Sequence, residues 1–326
     1  MLMSPKSKPR RIYKYRAFSA LSLEMLVEDK LFFADPSTFN DPLDAKPSFE
    51  TDLPVPDLEG VLRKLVERRV TDEMQSAARK IRYRGPRTVE HIEKHARRAA
   101  EDLLADIRYN ATNPDYEIVD PLQYLLGEHV HQEVIRRYDR GIVSFAKRAN
   151  CPLMWSHYGD QHRGVCIGYS APADVKLEPV AYGGDRSVRA SIVKAMVDGD
   201  AEAARRVDDA VLLKKARDWR YEREWRLIGD RGLRDSPLEL EEVVFGMRCP
   251  LAVQFAVAKA LAERDRAVKL YEVRQKRGTF LLHKASADMD EILATWPRRA
   301  RSIQEAFAEI VLSDDSAAPP DPDSPS

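Results

Sequence analysis

Cysteine is scarce in this 326-residue chain: Cys151, Cys166 and Cys249 are widely spaced and form no CxxC pair. An odd set of this kind excludes a disulfide framework and a structural zinc site, and predicts reduced thiols in the core. Long apolar runs are missing too. No uncharged stretch approaches the roughly 18 residues of a membrane helix, and the opening MLMSPKSKPRR lacks the apolar segment of a signal peptide. A cytoplasmic protein with no membrane partner is therefore expected. Charge of one sign is lacking as well, since 53 basic and 53 acidic side chains cancel. No global field draws the chain to nucleic acid, so any such binding must be local.

The common chemical fingerprints are also absent: there is no GxGxxG, P-loop, HExxH, GxSxG elbow or EF-hand loop, and no internal repeat. Ser144 and Lys147 match SxxK, but they fall in an expected strand rather than at a helix start. His91 and His95 share a helix face without a third ligand nearby. Asp35, Asp41 and Asp44 are explained by Asx turns and a helix cap, so no metal is expected.

What is present reads as a mixed α+β chain. Residues 1–11 form a basic tail expected to be disordered, with Lys6, Lys8, Arg10 and Arg11. RIYKYR reads as a strand, SALSLEMLVED as a helix capped by Ser19, and KLFFA as a second strand. DPSTFNDPLD predicts a tight loop bonded through its side chains. Residues 55–140 are rich in Ala, Leu, Arg, Lys and Glu, with breaks at Gly85-Pro86 and Asn113-Pro114, and predict a three-helix insertion covering one edge of a sheet.

Strands are then expected at IVSFA, 164–169 and 177–183, and a helix pair over 187–217. A strand at ELEEVVFG, a helix over 251–263 and a closing hairpin around Lys276-Arg277-Gly278 follow. The expected fold class is α+β: a mixed, mainly antiparallel sheet with flanking helices and a helical insertion, in one domain over 12–285. A helical extension over 286–312 and a disordered acidic tail over 313–326 complete the expectation.

Two stretches carry chemistry. WRYEREWRLI, residues 219–228, reads as one strand, which places Glu222, Glu224, Arg226 and Ile228 on one face and the two carboxylates roughly 7 Å apart. Either this is a charge ladder on a solvated face or the acids project into a cleft. The connector NCPLMWSHYGDQHRG sets Trp155, His157, Tyr158, Asp160 and His162 within eight positions. That mixture suits a pocket rim, or a local network that merely orders the connector.

In order, YKYR, LFFADPSTFNDPLD, CPLMWSHYGDQHRGVCIGY, YEREWRLI and a VVFG strand resemble the bacterial family catalogued as domain of unknown function 2971, over roughly residues 12–284. That resemblance implies no activity. A more distant one does: strand, helix, strand and a late Glu heading an apolar strand is similar to the ADP-ribosyltransferase plan, although the usual Ser-Thr-Ser strand is missing. It implies an NAD-consuming transferase or glycohydrolase, a toxin or phage-defence effector, with a protein or nucleic-acid acceptor. Glu224 and the upstream Glu222 of the Glu-x-Glu pattern would be catalytic, with His157. Arg16, Tyr15, Trp155, Tyr158 and Asn40 would contact NAD. The alternative is a non-catalytic nucleic-acid module whose binding face includes Trp155, Tyr158, Arg163 and Arg16, or a metal-independent nuclease using His157 and His162.

Overall fold

A computed structural model describes residues 8–83 and 85–294. The expected helix at 299–312 and the acidic tail lie outside the described residues, as does most of the basic tail.

The chain opens with β1 (Ile12–Arg16), α1 (Ala20–Val27) and β2 (Lys30–Phe33), followed by a 3-10 turn at Pro36–Thr38 and β3 (Ser48–Glu50). Ser19 accepts from the backbone N–H of Ser22 and caps α1 as expected, and Asp35 caps the 3-10 turn. The helical stretch resolves into α2 (Val55–Lys80), α3 (Thr88–Asn110) and α4 (Pro121–Arg137). Then come β4 (Gly141–Ala146), α5 (Pro152–His157), β5 (Val165–Ser170), β6 (Glu178–Pro179), β7 (Ala181–Tyr182) and β8 (Ser187–Arg189). α6 (Ala190–Val197) and α7 (Ala201–Leu212) are separated by a turn whose Asp200 caps α7. The remainder is β9 (Lys214–Lys215), β10 (Glu224–Gly229), β11 (Gly232–Asp235), β12 (Glu239–Phe245), α8 (Leu251–Leu261), β13 (Lys269–Gln275), β14 (Leu282–Ser286) and α9 (Met289–Ala294).

Eight strands form the main sheet in the order β14-β13-β12-β5-β1-β4-β10-β6. Every neighbouring pair is antiparallel except β12 with β13. The fold is thus α+β with a mixed, mainly antiparallel sheet. Alternation along the strands divides the core. Ile12, Val143, Phe145, Ile167, Trp225, Leu227 and Val243 pack with α1 and α8 on one face. Tyr15, Ala146, Cys166, Val244 and Val273 pack on the other, with Trp155 of α5. The helices α2, α3, α4, α6 and α7 bury a separate cluster around Leu58, Leu62, Leu104, Leu126, Val193 and Val207, which reaches the sheet at Ile142.

One irregularity of the sheet positions the site. β1 pairs with β5 along its whole length, but meets β4 at a single position, Tyr13 opposite Ala146. On its other edge β4 pairs with β10 over its whole length, from Gly141 to Ala146, while Ile142 forms an isolated bridge with Ala34. The gap between β1 and β4 is bridged by Lys14, whose Nζ donates to the Ser144 carbonyl at 3.0 Å.

Candidate functional site

The stretch 219–228 is not one strand. Residues Arg217–Glu222 coil into a 3-10 turn, the Trp219 indole N–H fastens that turn to Asp41 Oδ2 at 2.8 Å, and β10 starts only at Glu224. Arg223 between them adopts a left-handed conformation with φ 48°. That reversal lets a residue leaving the turn and a residue opening the strand aim at one point. Glu222 Oε2 lies 2.6 Å and Glu224 Oε2 3.1 Å from the same ammonium, Lys215 Nζ. The carboxylates are not a solvated ladder either, since each residue is 3% exposed.

The pair belongs to a buried charge cluster. Arg226, with no exposed surface, donates from Nη2 to both Asp44 oxygens at 2.7 and 2.8 Å, from Nε to Glu224 Oε1 at 2.8 Å and from Nη1 to the Leu212 carbonyl at 2.7 Å. Lys215 also reaches Asp44 at 3.4 Å. Three carboxylates therefore face two cations. Charges taken this far out of water persist only when paired and hydrogen-bonded, so the cluster locks the 35–44 loop, the start of β10 and the end of α7 together.

The two glutamates sit differently within it. Burial pushes the Glu224 carboxyl up, but Arg226 and then Lys215 outweigh burial and hold it at about 2. Glu222 is raised above the ordinary carboxylate range: burial raises it, Lys215 only partly opposes this, and the neighbouring Glu224 adds to the rise. Burial lowers Lys14 to about 8, helped by Arg16, while Glu224 and Glu222 pull the other way. Two carboxyls with opposite shifts are the arrangement that acid–base chemistry uses.

Beside them lies a cavity of about 270 Å³, lined by Lys14, Tyr15, Phe39, Asn40, Tyr158, Lys215, Glu222 and Glu224 among others. It occupies the gap where β1 and β4 part, with residues of the 34–44 loop on its wall. Tyr158 donates its hydroxyl to Glu222 Oε1 at 2.8 Å and accepts from Asn40 Nδ2 at 3.1 Å. A chain of polar groups thus runs from the loop to the raised carboxyl.

The expected site residues divide. Glu222, Glu224, Tyr158, Asn40 and Tyr15 all line the cavity, although the Tyr15 hydroxyl is spent on the Arg148 carbonyl at 2.8 Å. Trp155 is a core residue with no exposure, its indole N–H bonded to the Ala149 carbonyl at 2.8 Å and its ring edge-on to Tyr15. The connector did not become an open rim around Trp155 because residues 152–157 coil into α5, which buries Met154 and Trp155 inward and leaves Ser156 and His157 outward. Arg16 does not line the cavity; its guanidinium donates to Met25 Sδ, and Tyr169 is its charge neighbour.

His157 is exposed at the end of α5, its ring 6.2 Å from Tyr158 and 6.3 Å from both Trp219 and Tyr221. His162 sits elsewhere, stacked on Trp155 at 5.8 Å, and Arg163 is exposed. The sequence does not mark Lys215, Asp44 or Lys14 as site residues, and Asp44 reads there only as a turn or cap former. Lys215, in a Lys-Lys dipeptide following an amphipathic helix, gave no sign in the sequence that it would be buried.

Residues 154–227 match the profile of a family described as protein of unknown function (DUF2971). The matched stretch runs from α5 into β10 and contains Tyr158, Lys215, Glu222, Glu224 and Arg226, but not Lys14, Asn40 or Asp44. No curated protein and no solved structure matches the chain.

Proposed function

We propose that the cavity is the active site of an enzyme that cleaves or transfers at a glycosidic bond of a nicotinamide dinucleotide, with NAD as co-substrate and Glu222 as the acid–base group. The observation that carries this reading is the pair of carboxyls on one ammonium, shifted in opposite directions at the wall of a cavity. Breaking a nicotinamide–ribose bond builds positive charge on the ribose. Glu224, kept ionised by Arg226, supplies a fixed negative charge there without reorganising. Glu222, with a raised affinity for protons, takes the proton of the attacking hydroxyl or water.

A volume of about 270 Å³ suits the nicotinamide riboside end of the molecule rather than the whole of it. Asn40, Tyr158 and Lys14 offer hydrogen bonds for a carboxamide and ribose hydroxyls. The nuclease alternative has less support, because His157 and His162 stand in separate aromatic neighbourhoods. The test is nicotinamide release from NAD by the purified chain. Glu222→Gln is expected to lower the rate about 100-fold or more, the contribution of one acid–base group. Wild-type protein that neither binds NAD nor releases nicotinamide would overturn the reading.

A further inference from the structure

Outside the cavity, the segment that supplies Glu222 alternates aromatic and basic side chains: Arg217, Trp219, Arg220, Tyr221 and Arg223. Because a 3-10 turn has three residues per turn, Arg217 and Arg220 share one edge while Trp219 and Tyr221 fall on the others. Trp219 and Tyr221 lie 6.0 Å apart, and His157 of α5 joins them at 6.3 Å from each. The three rings form a half-exposed ledge that meets the cavity through Tyr158.

On the basic side is a groove of about 390 Å³ lined by Lys147, Arg220 and Arg223, together with Val180, Tyr182, Glu224 and Trp225. All three cations are exposed, and among the described residues no carboxylate pairs with any of them. The one acid on the groove, Glu224, is already committed to Arg226 and Lys215. Groove and cavity share Glu224, and Lys147 directly follows Ala146 of the cavity wall. In a chain with no net charge, three cations without a carboxylate partner among the described residues, beside three adjoining rings, form a local feature.

We infer that this ledge and groove bind a single-stranded nucleic acid, with bases stacking on His157, Trp219 and Tyr221 and backbone phosphates held by Lys147, Arg220 and Arg223. Stacking rings beside a basic track are the means by which strands are held without sequence readout. A duplex keeps its base faces covered and would engage the cations alone. The inference stands independently of the chemistry in the cavity. If that chemistry is transfer, the strand is placed where an acceptor would be needed.

The test is fluorescence anisotropy of the full chain with a labelled single-stranded oligonucleotide of about a dozen nucleotides, across a salt series. Binding is expected to weaken with salt, by a slope of about 0.7 per phosphate contact. Arg220→Glu with Arg223→Glu should abolish most of it, and Lys147→Glu alone should weaken it. His157→Ala should cost about tenfold through lost stacking. Glu222→Gln should bind the strand as wild type does, so failure of strand binding and failure of the proposed chemistry are read separately.

Equal affinity for the duplex, equal competition by an acidic peptide, or binding unchanged in the charge-reversed variants would each overturn the inference. So would a protein that binds NAD but no strand and loses NAD in those variants, since the groove would then hold the dinucleotide's pyrophosphate.

Discussion

Two buried carboxylate clusters flank the same sheet, and their difference separates a clamp from a site. On β12, Glu242 is fully buried opposite Gly168 of β5, where a Cβ would come within 2.6 Å of its side chain. It is answered by Arg11 and Lys284, both about a quarter exposed (28% and 26%), and the adjacent Glu241 shares Arg11 and Arg266. With Glu239, which also pairs with Arg266, cations and acids balance there at three each, and all three cationic side chains are partly exposed. At the start of β10 acids are in excess: Asp44, Glu222 and Glu224 face only Lys215 and Arg226, every member is buried, and a cavity adjoins them. The first cluster is saturated. The second holds a carboxyl, Glu222, whose proton affinity is raised and which a ligand in the cavity would meet.

The largest expected effect comes from breaking the second cluster at its centre. Arg226→Met strands Asp44 and Glu224 and should cost about 3–5 kcal/mol, read from denaturant midpoints. Glu224→Gln should cost about 3 kcal/mol, because Arg226 loses a charged partner inside the core. Glu242→Gln should cost less, about 1–2 kcal/mol, since Arg11 and Lys284 can turn to water. A larger loss at Glu242 than at Glu224 would remove the distinction between the clusters. Glu222→Gln should stay within about 1 kcal/mol of wild type: Lys215 keeps Glu224 and Asp44, and the excess of negative charge is relieved.

The pH dependence of stability sharpens the same contrast. With its carboxyl held at about 2 in the fold against 4.5 when free, Glu224 contributes stability that is complete above about 4.5 and is lost as the pH falls toward 2. Glu222, raised in the fold, has the opposite sign, so its contribution weakens as the pH rises past 4.5. Unfolding midpoints measured against pH should therefore show a shallower acid limb in Glu224→Gln, and a smaller loss above pH 4.5 in Glu222→Gln. Lys14 acts at the alkaline end of the same profile. Its lowered value of about 8 means that stability gains as the pH rises from 8 to 10.5, a gain that Lys14→Met should abolish.

Much of the framework could be read from pattern. The Ser19 cap, the breaks at Gly85-Pro86 and Asn113-Pro114, and the turn at Lys276-Arg277-Gly278 are local signals, and each falls at a boundary between described elements. The site was legible in part for the same reason. Two acids one residue apart in an apolar run are a local anomaly, and so is the polar connector after Pro152. What could not be read depends on long-range placement. A left-handed Arg223 has no sequence signature, yet it decides that 219–222 coil while both carboxylates still converge. Trp155 and His157 differ by two positions, and only the coiling of α5 sends one to the core and the other to the surface. Asp44, Lys14 and Lys215 come from three distant segments, so only the fold brings them beside Glu222.

The central claim, that Glu222 serves chemistry while Glu224 and Arg226 also serve the fold, is tested most directly by measuring nicotinamide release from NAD and thermal unfolding on the same preparations of wild type and Glu222→Gln. The account predicts turnover in the wild type, a loss of about 100-fold or more in the variant, and melting nearly unchanged. A variant that turns over as fast as wild type, or one that unfolds as readily as Glu224→Gln, would contradict it.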